Sequence, residues 1–299
     1  MSAALTPPAR PPVRPPVRPN VEYDVVAFTD AAAIARPLPA WERVWNRTWI
    51  RKVAIIVALA VTWQLYASLL DNELLFPTFT ETMRAFIDNL RNGVLPARAW
   101  TSVKVLLAGY AVGVALATIL SVAAINTRIG NDLLETLTSM LNPLPAIALL
   151  PLALLWFGLG NGSLIFVLIH SVLWVVALNM HAGFRGVSST LRMVGRNYGL
   201  RGFGYVRAIL IPAAFPSILT GLKVGWAFAW RTLIAAELVF GVASGAGGLG
   251  WFIFENKNQL EIPAVFAGLL SVILIGLAVE NLVFAWIERR TVRRWGMQH

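Results

Sequence analysis

The 299-residue sequence predicts an all-α, multi-pass membrane protein of about six transmembrane helices. Three observations carry this. Hydrophobic residues make up 57% of the chain, charged residues only 13%, and apolar runs long enough to cross a bilayer recur along it. A soluble domain carries about 25% charged residues. The chain has no cysteine, which excludes a disulfide framework and a thiolate metal site. His170, His181 and His299 are too scattered to form a metal cluster. The net charge of +10 lies beside the apolar runs and forms no basic stripe interleaved with aromatics, so nucleic acid is not an expected partner.

Residues 1–50 read as a disordered Pro/Arg-rich tail. Pro7 to Pro19 contains a short Pro-Pro-Val-Arg repeat, which favours extended polyproline II and has nothing to bury. The tail lacks the apolar core of a cleavable signal peptide and suits solvent or a lipid headgroup layer. Residues 51–299 form the membrane domain. Its spans are expected near Val53–Leu70, Ser102–Ile125, Leu134–Phe157, Leu164–Met180, Pro212–Gly241 and Pro263–Trp286. Asn142-Pro143-Leu144-Pro145 interrupts the third. Such a break frees backbone carbonyls and is tolerated only where protein or a water-filled cavity satisfies them. It reads equally as a gating bend or a fixed kink.

Loop charge sets the orientation. Arg36, Arg43, Arg47, Arg51 and Lys52 precede the first span, and Arg289, Arg290, Arg293 and Arg294 follow the last. The loop between spans four and five carries Arg185, Arg192, Arg196, Arg201 and Arg207 without an acid. The first opposite loop mixes both signs, with Asp71, Glu73, Glu81 and Asp88 beside Arg84, Arg91 and Arg98. Both termini are therefore expected in the cytoplasm, as an even span count requires.

The acid-free loop does more than turn. Ser188 or Ser189 can cap a short helix that Gly199 ends, and a second short helix over Gly202–Leu210 leads to Pro212. Leu191, Val194 and Tyr198 form an apolar side that suits a groove on a partner, with arginines at the rim.

Gly199, then Ile209, then Ile211-Pro212 match the spacing of the EAA loop of bacterial ABC-importer permeases, Glu-Ala-Ala-x3-Gly-x9-Ile-x-Leu-Pro. The run from Pro212 through Pro216, Gly221 and Lys223 to Ala235-Ala236-Glu237 resembles the nitrate/sulfonate/taurine-type permeases. So do Leu144-Pro145 to Gly158 and Ile287-Glu288-Arg289-Arg290-Thr291. The resemblance runs from about residue 75 to the end. It departs at Met193-Val194-Gly195, which stands where the pattern has Glu-Ala-Ala, and Ile211 replaces the pattern's leucine.

The resemblance implies a type I ABC importer permease with a coupling loop over residues 188–210. Ser188, Leu191, Arg192, Val194, Arg196, Tyr198, Gly199, Arg201, Ile209 and Pro212 would then dock an ATPase subunit. It further implies two permease copies forming the pore and an ATPase pair that binds ATP and Mg. A solute-binding protein would deliver a small anion such as a sulfonate, taurine, nitrate or related organic acid. The setting is the bacterial cytoplasmic membrane, with lipid around the spans.

Span five carries Lys223, Trp230 and Glu237 at seven-residue spacing, hence on one helical face, with Arg231 about 100° away. A charge at the bilayer centre costs at least about 2.5–3.5 kcal/mol, so such residues face a pathway or a partner. With Asn142 they are expected to line a translocation path for an anion; the alternative pairs Glu237 with Arg231 or another helix and lets Lys223 snorkel. His170 and Asn179 are expected as hydrogen-bond partners between helices. Gly245 to Gly250 satisfies G-x-G-x-x-G but lacks a βαβ context and reads as a flexible external turn. No nucleotide-binding P-loop or H-E-x-x-H occurs, so no enzyme activity or bound cofactor is expected. A stand-alone secondary transporter and an intramembrane hydrolase built on Ser163 are the rival readings.

Overall fold

The computed structural model describes Glu42, residues 46–240 and residues 247–292. The expected tail falls mostly outside these residues. The chain divides into two units after Val57.

In chain order the helices are α1 (Thr48–Leu70), α2 (Phe79–Arg91), α3 (Val94–Asn126), α4 (Arg128–Leu141), α5 (Leu150–Phe157), α6 (Asn161–Gly186), α7 (Ser189–Asn197), α8 (Gly202–Tyr205), α9 (Ile211–Phe240), α10 (Leu249–Asn258), α11 (Ile262–Ala278) and α12 (Ala285–Arg290). A 3₁₀ turn, Ala146–Leu149, precedes α5, and π turns at Val206–Leu210 and Val279–Phe284 run into α9 and α12. Among the described residues five helices are long and apolar enough to cross a membrane. The third expected span is a pair, Arg128–Leu141 and Ala146–Phe157, bent by 87°. Its break falls at the predicted Asn-Pro-Leu-Pro. The prolines cannot donate and so cannot continue a helical ladder.

Two helices were not expected. α2 stands where the sequence suggested a mixed-charge loop, and it begins with a capping box. The Thr78 N–H donates to Glu81 Oε2 at 2.7 Å and the Glu81 N–H to Thr78 Oγ1 at 3.2 Å. Hydrogen bonds to the carboxylate from the Thr78 side chain and backbone hold Glu81 below its ordinary range. The Trp63 ring packs against Phe76, Phe79 and Phe266, so α2 and α11 meet over the end of α1. α10 begins at Leu249, inside the flexible turn expected over Gly245–Gly250; the turn's first residues, Gly245 and Ala246, lie outside the described residues.

The core is built on α6, which packs against α3 and α9. Lipid tails are as apolar as leucine, so helices in a membrane associate through close packing and polar contacts rather than through hydrophobic exclusion. Small residues provide the approach. A Cβ added at Gly113 would stand 2.8 Å from Val172 Cβ, and one at Gly109 would stand 2.6 Å from Leu168 Cβ. On the other side Gly183, Gly221 and Gly225 bring α6 equally close to α9. Polar links add to the packing: Ser121 Oγ donates across the α3–α6 seam to the Ala177 carbonyl, and the Tyr110 hydroxyl ties α3 directly to α9 at the Leu222 carbonyl. Asn179 is not one of these links. Its Nδ2 donates to Val175 in its own helix, while its Cβ fills the space over Gly221.

Gly113→Val should therefore overpack the α3–α6 seam and lower stability by about 1–3 kcal/mol. Gly204→Ala, with nothing within 4 Å of the added methyl, should be close to neutral. Thermal melting of the detergent-purified variants checks both.

Candidate functional site

The break between α4 and α5 forms one wall of a half-open cavity of about 550 Å³. Asn142 to Ile147 face α6 residues His170, Ser171 and Trp174 and α9 residues Phe228, Arg231 and Thr232 across it. Ser171 and Thr232 exchange a hydroxyl hydrogen bond of 3.1 Å that joins α6 to α9 at its edge. Arg231 is exposed, and its described contact is with the Phe228 ring, 6.0 Å from the guanidinium carbon. Among the described residues no carboxylate lines the cavity. Both His170 nitrogens and the Trp174 indole nitrogen are buried in the wall without a hydrogen-bond partner. His170 thus does not bond to a neighbouring helix as expected; it meets Trp174, one turn further along α6, edge to face.

Of the five residues expected on a translocation path, the structure brings Asn142 and Arg231 to this cavity. The other three it does not. Lys223 Nζ lies 2.5 Å from Glu288 Oε2. The Trp230 Nε1–H donates to the Val272 carbonyl at 3.2 Å. Glu237 is buried, with Ser102 Oγ 2.8 Å from its Oε2 and the Gly250 N–H donating to the same oxygen at 2.8 Å. The seven-residue face is real, but it packs on α3, α10, α11 and α12. Arg231, a quarter-turn away, is the charge of α9 left facing open space.

The glycine run rejected as a nucleotide motif has a structural role. The N–H groups of Leu249 and Gly250 open α10, and they meet Ser102 Oγ and the Glu237 carboxylate respectively. A Cβ at Gly248 would collide with Ser102 Oγ and Glu237 Oε1. The chain's own carboxylate thus sits at the start of a helix, where backbone donors favour negative charge.

The loop at residues 188–210 has the predicted two-helix form. Ser188 caps α7 by accepting from the Leu191 N–H at 3.4 Å. Gly199, at φ +74°, closes α7 with two bonds, Leu200 N–H to the Gly195 carbonyl and Gly199 N–H to that of Arg196, the pairing of a Schellman motif. Leu191, Val194 and Tyr198 are exposed, as are Arg196, Arg201 and Arg207. Ile209 and Pro212 are half-buried where the loop joins α9. Arg192, expected at the rim, turns back instead. Its guanidinium donates to the carbonyls of Phe184, Arg185 and Val187, which end α6. Met193-Val194-Gly195 also has a reason. Gly195 is buried against Tyr205 and Ile209, and even a methyl there would come within 3.0 Å of both.

Ser163, the rival nucleophile, is buried, with its hydroxyl on the carbonyls of Ala153 and Gly158. Among the described residues no group of His, Asp and Glu could hold a metal ion.

Ser102→Ala should cost about 1–3 kcal/mol, because it leaves the buried Glu237 carboxyl and the Leu249 N–H each short of a partner. Amide exchange at Leu249 should then accelerate at least tenfold, about 1.4 kcal/mol of protection. Hydrogen-exchange mass spectrometry of the purified protein reads this directly.

Comparison with known proteins agrees with this architecture. Residues 109–293 match the model of the binding-protein-dependent transport system inner membrane component family. An ABC transporter permease protein of Methanocaldococcus jannaschii is 30% identical over 246 residues, which are 79% of this chain and 91% of that relative. A nitrate import permease of Synechocystis sp. is 28% identical, over 81% of this chain and 89% of its own length. A Bacillus subtilis permease named for aliphatic sulfonates transport is 26% identical, over 89% and 93%. With the broken span, the glycine-ended loop and the family match in agreement, the chain belongs to the binding-protein-dependent transport system inner membrane components, the multi-pass permeases of ABC transporters.

Proposed function

We propose that this permease is the membrane subunit of an ATP-driven importer and carries a small anionic solute. The observation that carries the solute class is Arg231. It is a guanidinium on a spanning helix, beside a cavity that no carboxylate lines among the described residues, while the other charges of α9 are engaged elsewhere. Leaving a cation in such a place costs free energy unless it meets a partner that arrives with the cargo. Relatives named for nitrate and aliphatic sulfonates are of the same chemical sign.

Loop 188–210 is the docking element for an ATPase subunit that holds ATP and Mg. Its exposed Leu191, Val194 and Tyr198 supply apolar anchors, and Arg196, Arg201 and Arg207 a basic rim. A second permease copy completes the pore, and a solute-binding protein presents cargo from outside. The protein sits in the cytoplasmic membrane with both termini and the loop inside. ATP-driven closure of the ATPase pair would shift access between the two sides. A stand-alone secondary transporter fits less well, because such folds pair their broken helices and one broken span is present among the described residues.

Gentle purification of the tagged chain from its native membrane tests the assignment: a stoichiometric P-loop ATPase should come with it, and recovery of the chain alone would overturn it. Gly199→Val forces a β-branched residue to positive φ and should cut ATPase recovery about tenfold or more, with the protein still inserted. Arg231→Gln should leave assembly intact and abolish uptake.

A further inference from the structure

We propose that the cavity between the α4–α5 break, α6 and α9 is the solute site, and that it selects an amphipathic organic monoanion over both inorganic anions and zwitterions. This rests on the anion reading above and narrows it.

The polar groups are grouped and few. Arg231 and Asn142 reach the cavity, and the Ser171–Thr232 hydroxyl pair closes its edge. Arg231 offers five N–H donors in a planar fork, a geometry matched to carboxylate or sulfonate oxygens. The His170 and Trp174 ring nitrogens lie in the wall behind without partners.

The rest of the lining is apolar: Pro143, Pro145, Ile147, Trp174, Val175 and Phe228 surround the polar corner. A volume of about 550 Å³ lies in the range of sites that enclose organic ligands. A bare three-oxygen anion would fill a small part of it and would desolvate against rings and prolines that return no hydrogen bond. An alkyl or aryl body attached to the same head would instead bury its carbon surface, at about 25 cal/mol per Å². The second exclusion follows from charge. Among the described residues no Asp or Glu lines the cavity, so an ammonium carried beside the acidic head would be left without a counter-charge there. Aminosulfonates and amino acids are disfavoured on this ground.

The absence of cysteine from the chain gives a direct test. Ala235 lines the cavity one turn beyond Arg231, and Ala235→Cys adds a single thiol with little change in volume. In native-membrane vesicles holding the whole transporter, that thiol is treated with the sulfonate-bearing methanethiosulfonate reagent and with its quaternary-ammonium counterpart. The anionic reagent is expected to react faster, and Arg231→Gln to remove the difference. Hexanesulfonate, at roughly ten times its dissociation constant, should slow the reaction about tenfold. Nitrate and taurine at equal concentration and ionic strength should not.

Equal protection by nitrate or taurine would overturn the proposed selectivity while leaving an anion carrier. Protection by a cationic solute, with none by any anion, would sink the anion reading itself. A thiol inert to both reagents would show that water does not reach the cavity and would overturn the site. Val175→Cys, on the neighbouring helix α6, guards against a misfolded first variant and should give the same pattern.

Discussion

Close approach of α6 to α3 and α9 is the constraint on which the rest of this structure depends. In a bilayer the solvent does not push these helices together, so contact must come from shape and from hydrogen bonds across the seams. Glycines at 109, 113, 183, 221 and 225 let side chains of the facing helix settle onto bare backbone. The seams fix the rotation of each helix about its own axis. That rotation decides which residues of α6 and α9 look into protein and which look into the cavity.

The same rotation explains why one strip of α9 is tied down and its neighbour is not. Lys223, Trp230 and Glu237 are held by Glu288, Val272, Ser102 and Gly250, four residues on four other helices. These contacts satisfy polar groups that lipid could not. Arg231 follows Trp230 by one residue and therefore points elsewhere. Its position beside Asn142 and the bent pair is a by-product of where its neighbours are anchored.

Much of this was legible in the chain. Apolar run length located the spans, the Asn-Pro-Leu-Pro break located the bend, and Ser188 with Gly199 located both ends of α7. The capping box at Thr78 and Glu81 was also written in the sequence, and a scan for that signature finds α2 without coordinates. What could not be read was direction. Seven-residue spacing shows that three side chains share a face, yet it does not say whether that face meets water, lipid or another helix. Arg192 shows the same limit: in a basic loop it reads as a rim charge, and only the fold reveals the helix end it closes. Gly195 looked like the loss of a motif, because the Tyr205 ring that needs the space lies ten residues away.

The turned-back guanidinium of Arg192 has a mechanical consequence. It binds the first turn of α7 to the last carbonyls of α6, so the two are joined as a bracket joins an arm to a rod. From Phe184 to Ser171 that rod extends about 20 Å at 1.5 Å per residue. A force that tilts the bracket must swing the whole rod about its glycine-lined seams. Trp174 and His170 lie along that rod, so the loop and one wall of the cavity belong to a single continuous helical body.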